Sequence, residues 1–266
     1  MVSKNEIKIG IIGIGVVGEA MANVIPRAIL YDKHKNIGSI KEINKTDIIF
    51  ICVPTLFTKK SGFDLSAVED VFSIIKDRKI VVIKSTVLPG TTERMQRRYP
   101  QHKVLFNPEF LRQATAKEDM RNCSEQIIGY TKKSKCIAEE ILRILPKAPA
   151  EFIVPATEAE MVKYFSNVFL STKVVFANQI YDLCQKLGIN YDLVKKMASV
   201  NPRFGFSHFE IFRDGYRGYS GACLSKDIKS LIQLGDKIGV DLKLLKTVEE
   251  INNKLLNDKT NVWRSS

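Results

Sequence analysis

The chain has no long apolar run. None of its stretches approaches the roughly 18 residues that span a bilayer. Its opening, Met-Val-Ser-Lys-Asn-Glu, leads into a strand without the apolar stretch of a signal peptide. A cytosolic protein with no membrane partner is therefore expected. Its five cysteines, at positions 52, 123, 136, 184 and 223, form no C-x-x-C pair and follow no regular spacing. That argues against a disulfide framework and a zinc site, so no metal is expected. An odd number in a reducing compartment leaves room for one functional thiol. Internal repeats and low-complexity tracts are absent as well. Basic charge is plentiful but not clustered: 41 Lys and Arg against 29 Asp and Glu give a net +12. The even spread, without interleaved aromatics, argues against a nucleic-acid surface. It reads as a solvated face, or as a mild field that draws in anionic cofactors and substrates. What remains is ordinary for a soluble globular protein: 266 residues, 45% hydrophobic and 26% charged, enough for one large domain or two modest ones.

The clearest positive signal opens the chain. A β-branched run from Ile7 to Ile12 meets Gly13-Ile-Gly15-Val16-Val17-Gly18, Glu19 to Ile25 reads as a helix closed by Pro26, and Ala28 to Tyr31 delivers Asp32. Strand, glycine turn, helix, strand and acid is the context a dinucleotide-binding G-x-G-x-x-G requires. The glycines allow the turn, the close pyrophosphate approach and the helix–strand packing, and the helix N-terminus faces the phosphates. Asp32, 19 residues after Gly13, suits the ribose hydroxyls of NAD and would repel the 2′-phosphate of NADP, although Lys33, His34 and Lys35 beside it weaken that preference.

Near-continuous apolar strands recur at Asp47–Val53, Lys79–Lys84, Val104–Phe106, Gln126–Gly129 and Phe152–Val154, with helical segments between them. This alternation predicts an α/β fold, a Rossmann-like doubly wound parallel sheet, over residues 1–155. Residues that follow the strand ends, including Val53-Pro54-Thr55, Ser85-Thr86 and Asn107-Pro108-Glu109, sit where ligands bind in such sheets. The connection from Asp32 to Asp47 is short, so this half looks trimmed. From Ala156 the pattern is helical to the end, giving a second, all-helical domain over 156–266. Glu158 to Leu187 reads as one long connecting helix of the kind that bridges domains or subunits. Helices at 191–199, 224–238 and 241–257 follow, then a frayed tail from Asp258 to Ser266.

Arg217 to Asp227, Arg-Gly-Tyr-Ser-Gly-Ala-Cys-Leu-Ser-Lys-Asp, combines glycines at 218 and 221 with a helix start. Cys223 near that helix's N-terminus would favour a thiolate. Asp227 falls on the same face, and Lys226 adds a positive charge. Nucleophile, charge stabiliser and water-holding base is one reading; an inert buried cysteine with an ordinary cap is the other.

Read together, six stretches resemble the UDP-glucose and GDP-mannose 6-dehydrogenase family of nucleotide-sugar dehydrogenases. They are Cys52-Val-Pro-Thr55, Ser85-Thr-Val-Leu-Pro-Gly-Thr-Thr92, Asn107-Pro-Glu-Phe-Leu-Arg112, Glu160-x-x-Lys163-x-x-x-Asn167, Asn201-Pro-Arg-Phe-Gly205 and Gly218 to Asp227, in the family's order. The resemblance implies oxidation of a sugar C6 alcohol to the carboxylate by two hydride transfers to two NAD molecules. It makes Cys223 the nucleophile, holding the aldehyde as a thiohemiacetal that becomes a thioester. It implies that Lys163 and Asn167 face one oxyanion, that Asp227 and Thr86 position a water, and that Glu109 is the general base of hydrolysis. NAD would be bound by Gly13, Gly15, Val16, Val17, Gly18, Asp32, Val53, Pro54, Thr55, Ser85, Thr86 and Lys226. Substrate would be bound by Glu109, Phe110, Leu111, Arg112, Lys163, Asn167, Tyr219 and Gly221, with Arg203 reaching the partner subunit's substrate in a homodimer built on the helix 158–187.

The chain departs from the family in places. Full-length members carry a second, C-terminal dinucleotide-like domain that grips the nucleotide, and this sequence stops after the helix leading into it. Substrate capture then calls for a smaller substrate, low affinity or a second chain completing the pocket. Ser220 replaces the first glycine of the pair before the cysteine, Ser225 the proline before the lysine, and Gln113 a second acid. Two rival functions stay open: a two-electron β-hydroxyacid-type dehydrogenase, and a catalytically silent NAD-binding dimeric scaffold. A third, weaker idea is nucleic-acid binding through the basic surface.

Overall fold

The computed structural model describes residues 7–58, 60–213, 215–221 and 223–257. The tail expected from Asp258 onward falls outside them. Two compact units follow one another, Met1–Lys163 and Tyr164–Ser266.

The first unit holds a seven-stranded sheet in the order β2-β1-β3-β6-β7-β8-β9. Its strands are β1 (Ile9–Ile12), β2 (Ile29–Tyr31), β3 (Ile48–Ile51), β6 (Ile80–Ile83), β7 (Lys103–Phe106), β8 (Glu125–Tyr130) and β9 (Ala150–Pro155). Between them run α1 (Val16–Val24), the short α2 (Ile40–Ile43), a hairpin of β4 (Leu56–Thr58) and β5 (Gly62–Asp64), α3 (Ser66–Ile74), α4 (Thr91–Arg98), α5 (Ala116–Arg121) and α6 (Ala138–Ile144). The strands are apolar on both sides because both faces are covered. Ile11, Phe50, Val82 and Leu105 join α1, α5 and α6 in one core, while Ile49, Ile51, Val81, Val104 and Phe106 join α3 and α4 in the other. Successive side chains of a strand point to opposite faces, so each strand feeds both cores.

The sheet is not parallel throughout. β8 runs antiparallel to β7 and β9 parallel to β8, so two of the seven strands are reversed. The chain leaves β7 at its carboxyl end and turns straight into β8 by way of α5, with no crossover along the sheet. Register places only Leu105 and Phe106 opposite Tyr130 and Gly129, so most of β8 and β9 extends beyond the carboxyl edge of the central strands. The hairpin β4–β5 also lies where only helix was expected.

The helix α7 (Ala156–Leu187) is 32 residues long and starts in tight contact with β8. A Cβ on Gly129 would lie 2.8 Å from the Ala159 side chain and 2.9 Å from Ala156 Cα. The second unit contains the rest of α7, α8 (Tyr191–Ser199), a hairpin of β10 (Phe212–Arg213) and β11 (Tyr216–Arg217), α9 (Leu224–Ile238) and α10 (Lys243–Asn257). Its cores are small: Val168, Val175, Tyr219, Ile228 and Val248 form one, Ala177, Cys184, Tyr191 and Ile211 the other.

Candidate active site

The glycine turn in the first unit is shaped for a ligand at one position and by packing at two. Gly13 has φ +88°, and a Cβ there would lie 2.8 Å from the backbone of Cys52 and Val53. A Cβ on Gly18 would collide with the Gly13 carbonyl oxygen. Around Gly15, by contrast, nothing lies within 4 Å of such an atom. The protein leaves that space open at the N-terminus of α1, beside the exposed Val16, where unpaired N–H groups favour a phosphate. Asp32 closes the turn: its carboxylate accepts from the N–H of Ile14 at 2.8 Å, His34 at 2.9 Å and Lys35 at 3.0 Å. Burial pushes this carboxyl up, but the three N–H donors and the charge of Lys35 outweigh it and hold it below the usual range. Lys35 itself is committed to the turn, donating to Ile14 O at 2.6 Å and Glu19 at 2.9 Å.

The loops after β3 and β6 are tied to each other. Ser85 Oγ donates to Val53 O at 2.6 Å and Thr55 Oγ1 to Thr86 O at 2.8 Å. Ser85 and Thr55 are thus spent on scaffolding, Pro54 is exposed, and the half-buried Thr86 hydroxyl makes no hydrogen bond among the described residues.

The loop after β7 carries the strongest electrostatic feature of this unit. Lys163 Nζ pairs with Glu109 Oε1 at 3.0 Å, with both side chains nearly buried, and also donates to the Glu109 carbonyl. The ammonium lies 5.3 Å from the Phe110 ring centroid, and Glu109 Oε2 accepts from Leu111 N at 2.9 Å. Burial pushes the Glu109 carboxyl up, but Lys163's charge, the Leu111 N–H and the charge of Lys84 prevail and hold it below its usual range. Glu109 is therefore ionised at neutral pH. Arg112 is exposed and engaged elsewhere, donating from Nε and Nη2 to Asp119 at 3.1 and 2.6 Å.

In the second unit Asn167 Nδ2 donates to Asp227 Oδ2 at 2.6 Å, and Lys226 Nζ meets Asp227 Oδ1 at 2.6 Å. Asp227 is fully buried and stands one turn into α9, its N–H bonded to the Cys223 carbonyl at 2.9 Å. Cys223 is exposed and occupies the N-cap position of that 15-residue helix, so the reading as a buried cysteine does not hold. Lys163 and Asn167 each hold a carboxylate, Glu109 and Asp227 respectively. Gly221 has φ +87° and is exposed, and Arg203 is exposed on the loop after α8.

Three residues escaped the sequence reading. Glu160, fully buried, accepts from Gly90 N at 2.6 Å, Thr92 N at 2.7 Å and Thr92 Oγ1 at 2.6 Å, capping α4. Burial prevails over those three donors and raises its carboxyl to about 7. Asn252 of α10 clamps the loop before Cys223, accepting from Tyr219 N at 2.7 Å and donating to Tyr219 O at 2.9 Å. That clamp explains Gly218, where a Cβ would lie 2.5 Å from Asn252 Oδ1. Lys84 is the third. Glu160 and Lys84 fall inside stretches already singled out, but their partners are far off in sequence.

Two sequence models of one family match the chain in tandem. Residues 31–145 match the NAD binding domain, and residues 157–254 the central domain, of the UDP-glucose/GDP-mannose dehydrogenase family. The chain belongs to that family. The first match begins after the glycine turn, so the turn rests on its geometry. Among curated relatives of this dehydrogenase family, the UDP-glucose 6-dehydrogenase of Rickettsia conorii is 34% identical over 224 residues, 80% of this chain and 50% of that protein. The chain spans about half the length of the curated relatives it matches. The solved UDP-glucose dehydrogenase from the hyperthermophilic archaeon Pyrobaculum islandicum superposes with a TM-score of 0.81 at 26% identity, covering 96% of this chain and 69% of that one. A ternary complex of GDP-mannose dehydrogenase from Pseudomonas aeruginosa gives 0.65 at 27% identity, covering 94% and 69%. NAD is the cofactor of this family's N-terminal domain. The open space at Gly15, the start of α1 and the pre-formed Asp32 acceptor fit it.

Proposed function

We propose that this chain carries out, alone or as part of a longer assembly, the NAD-dependent oxidation of a nucleotide-sugar C6 alcohol to the carboxylate, with Cys223 as nucleophile. The observation that carries the reading is the second unit's constellation: an exposed thiol at the N-cap of α9, one turn from a buried carboxylate fixed by Asn167 and Lys226. Bound NAD supplies a hydride acceptor. The helix start, with its free N–H groups, favours the Cys223 thiolate. The thiolate adds to the aldehyde carbon of the first oxidation and its oxygen takes a proton, giving a thiohemiacetal that cannot diffuse away. Loss of a hydride and of the hydroxyl proton leaves a thioester. Water then adds to the acyl carbon, the C–S bond breaks, and the thiol is restored beside a carboxylate. Glu109, held ionised, is the base that takes the proton from that water, and Asp227, one turn from the thiol, orients water. Asn167 stabilises developing negative charge at the sugar oxygen, while Lys163 keeps Glu109 ionised.

We also propose a homodimer built on α7. Phe165, Phe169, Phe176, Leu183 and Leu187 are exposed at spacings of 4, 7, 7 and 4, a continuous apolar stripe along one helix face. Arg203 would reach the substrate of the partner.

The test is a panel of UDP- and GDP-sugars with NAD, counting two NADH per sugar consumed. Cys223→Ser should stop after the first oxidation. Full activity in that variant points to a two-electron alcohol dehydrogenase, and absence of NADH with every sugar points to a silent NAD-binding scaffold.

A further inference from the structure

The buried end of β6 holds a charge that the reaction outlined above does not use. Lys84 follows the strand directly and is 2% exposed. Its Nζ donates to Asn107 Oδ1 at 2.6 Å. Asn107, fully buried after β7, passes its own amide on to Ile127 O at 2.9 Å and Gln126 Oε1 at 3.3 Å. Lys84 makes no ion pair among the described residues. An ammonium withdrawn from water and answered only by a neutral amide is costly, and a neutral donor such as a glutamine amide would serve Asn107 without that cost. Stability therefore does not account for a lysine here. Burial draws its pKa down to about 8, as expected of a cation without a carboxylate in contact.

The titratable groups that face this ammonium are Cys52, Glu109, Cys123 and Lys163. Burial pushes the Cys52 thiol up to about 12, so it stays neutral. Lys163 is itself a cation and already paired with Glu109. Glu109 is the one carboxylate among these groups, and it stands two residues after the asparagine that Lys84 holds. We propose that Lys84 is a positioning residue for the Glu109 carboxylate, anchoring its loop through Asn107 and placing a second positive charge behind it. This rests on the reading of Glu109 as the general base.

The test uses Lys84→Met and Lys84→Gln in the full chain. A role in stability alone predicts that activity falls only as folded protein is lost. The proposal predicts that the two separate. Lys84→Gln, which can still donate to Asn107, keeps thermal stability near that of the parent, while the Glu109 carboxyl, followed by carbon-13 NMR, titrates at higher pH in both variants. The acid limb of the kcat/KM profile moves the same way, with kcat down about tenfold or more and the KM for NAD within about twofold. A Glu109 titration superimposable on that of the parent chain overturns the proposal. The NMR titration needs no turnover, so a parent chain that forms no NADH defeats the dehydrogenase reading while the coupling of Lys84 to Glu109 is still decided.

Discussion

Replacing Lys163 by methionine removes the cation from a pair that is almost dry. The Lys163 and Glu109 side chains are 5% and 12% exposed and meet at 3.0 Å. Breaking one partner of a buried pair costs about 3–5 kcal/mol, because the other charge is left without compensation. That is a large share of the roughly 5–15 kcal/mol that holds a domain folded. The sign of the pH dependence should also reverse. In the parent chain the Glu109 carboxyl lies below its ordinary 4.5, so its stabilisation is present above that pH and fades as pH falls through the lower folded value. Without Lys163, burial governs and the carboxyl rises above 4.5. Stability would then be highest in acid and decline as pH rises through the new value. Urea denaturation at a series of pH values, followed by circular dichroism, measures both effects. Adding Glu109→Gln to Lys163→Met should recover part of the loss. A cost below about 1 kcal/mol with an unchanged pH slope, as for an exposed pair, would refute the reasoning.

Gly15→Ala should leave the melting temperature nearly unchanged, since its Cβ meets nothing within 4 Å, yet weaken NAD binding about tenfold or more in a calorimetric titration. Gly13→Ala should do the opposite first, losing stability because its Cβ presses on the Cys52 backbone at φ +88°. For Glu160, whose carboxyl is raised from 4.5 to about 7, stabilisation is complete below the lower value and lost as pH rises through the upper one. Glu160→Gln should therefore flatten stability across that window in thermal melts, while speeding hydrogen exchange at the Gly90 and Thr92 amides.

The helices of the second unit were legible nearly to the residue, because each has an apolar face at helical spacing, whereas the hairpin β10–β11 falls in a half expected to be all helix and loop. Asn190 accepts from Leu193 N to open α8, and Gly239 at φ +78° closes α9. The central strands were equally plain. Their direction was not: Gln126 to Gly129 reads the same whichever way it runs, and only the absence of a crossover between Phe106 and Glu125 decides it. The candidate carboxylates and the thiol stood out as residue types in short motifs. Which donor answers which acid did not, since nothing near Lys163 or Asn167 in the sequence shows which carboxylate packs opposite. The caps and clamps were silent for the same reason. Glu160 meets Thr92 across 68 positions and Asn252 meets Tyr219 across 33, and a polar residue on a helix gives no sign of so distant a partner.

The pair of hydrogen bonds between Asn252 and the main chain of Tyr219 has a thermodynamic consequence. Tyr219 also donates its hydroxyl to Glu249 at 2.9 Å, so three contacts bind the loop ahead of Cys223 to a single stretch of α10. Opening that stretch strands a buried amide and carbonyl together, so neither part can melt alone at low cost. Helix and loop thus form one cooperative opening unit. The sulfur's local order is underwritten by an asparagine some thirty positions downstream, and protection factors at Tyr219 and along α10 should rise and fall as one.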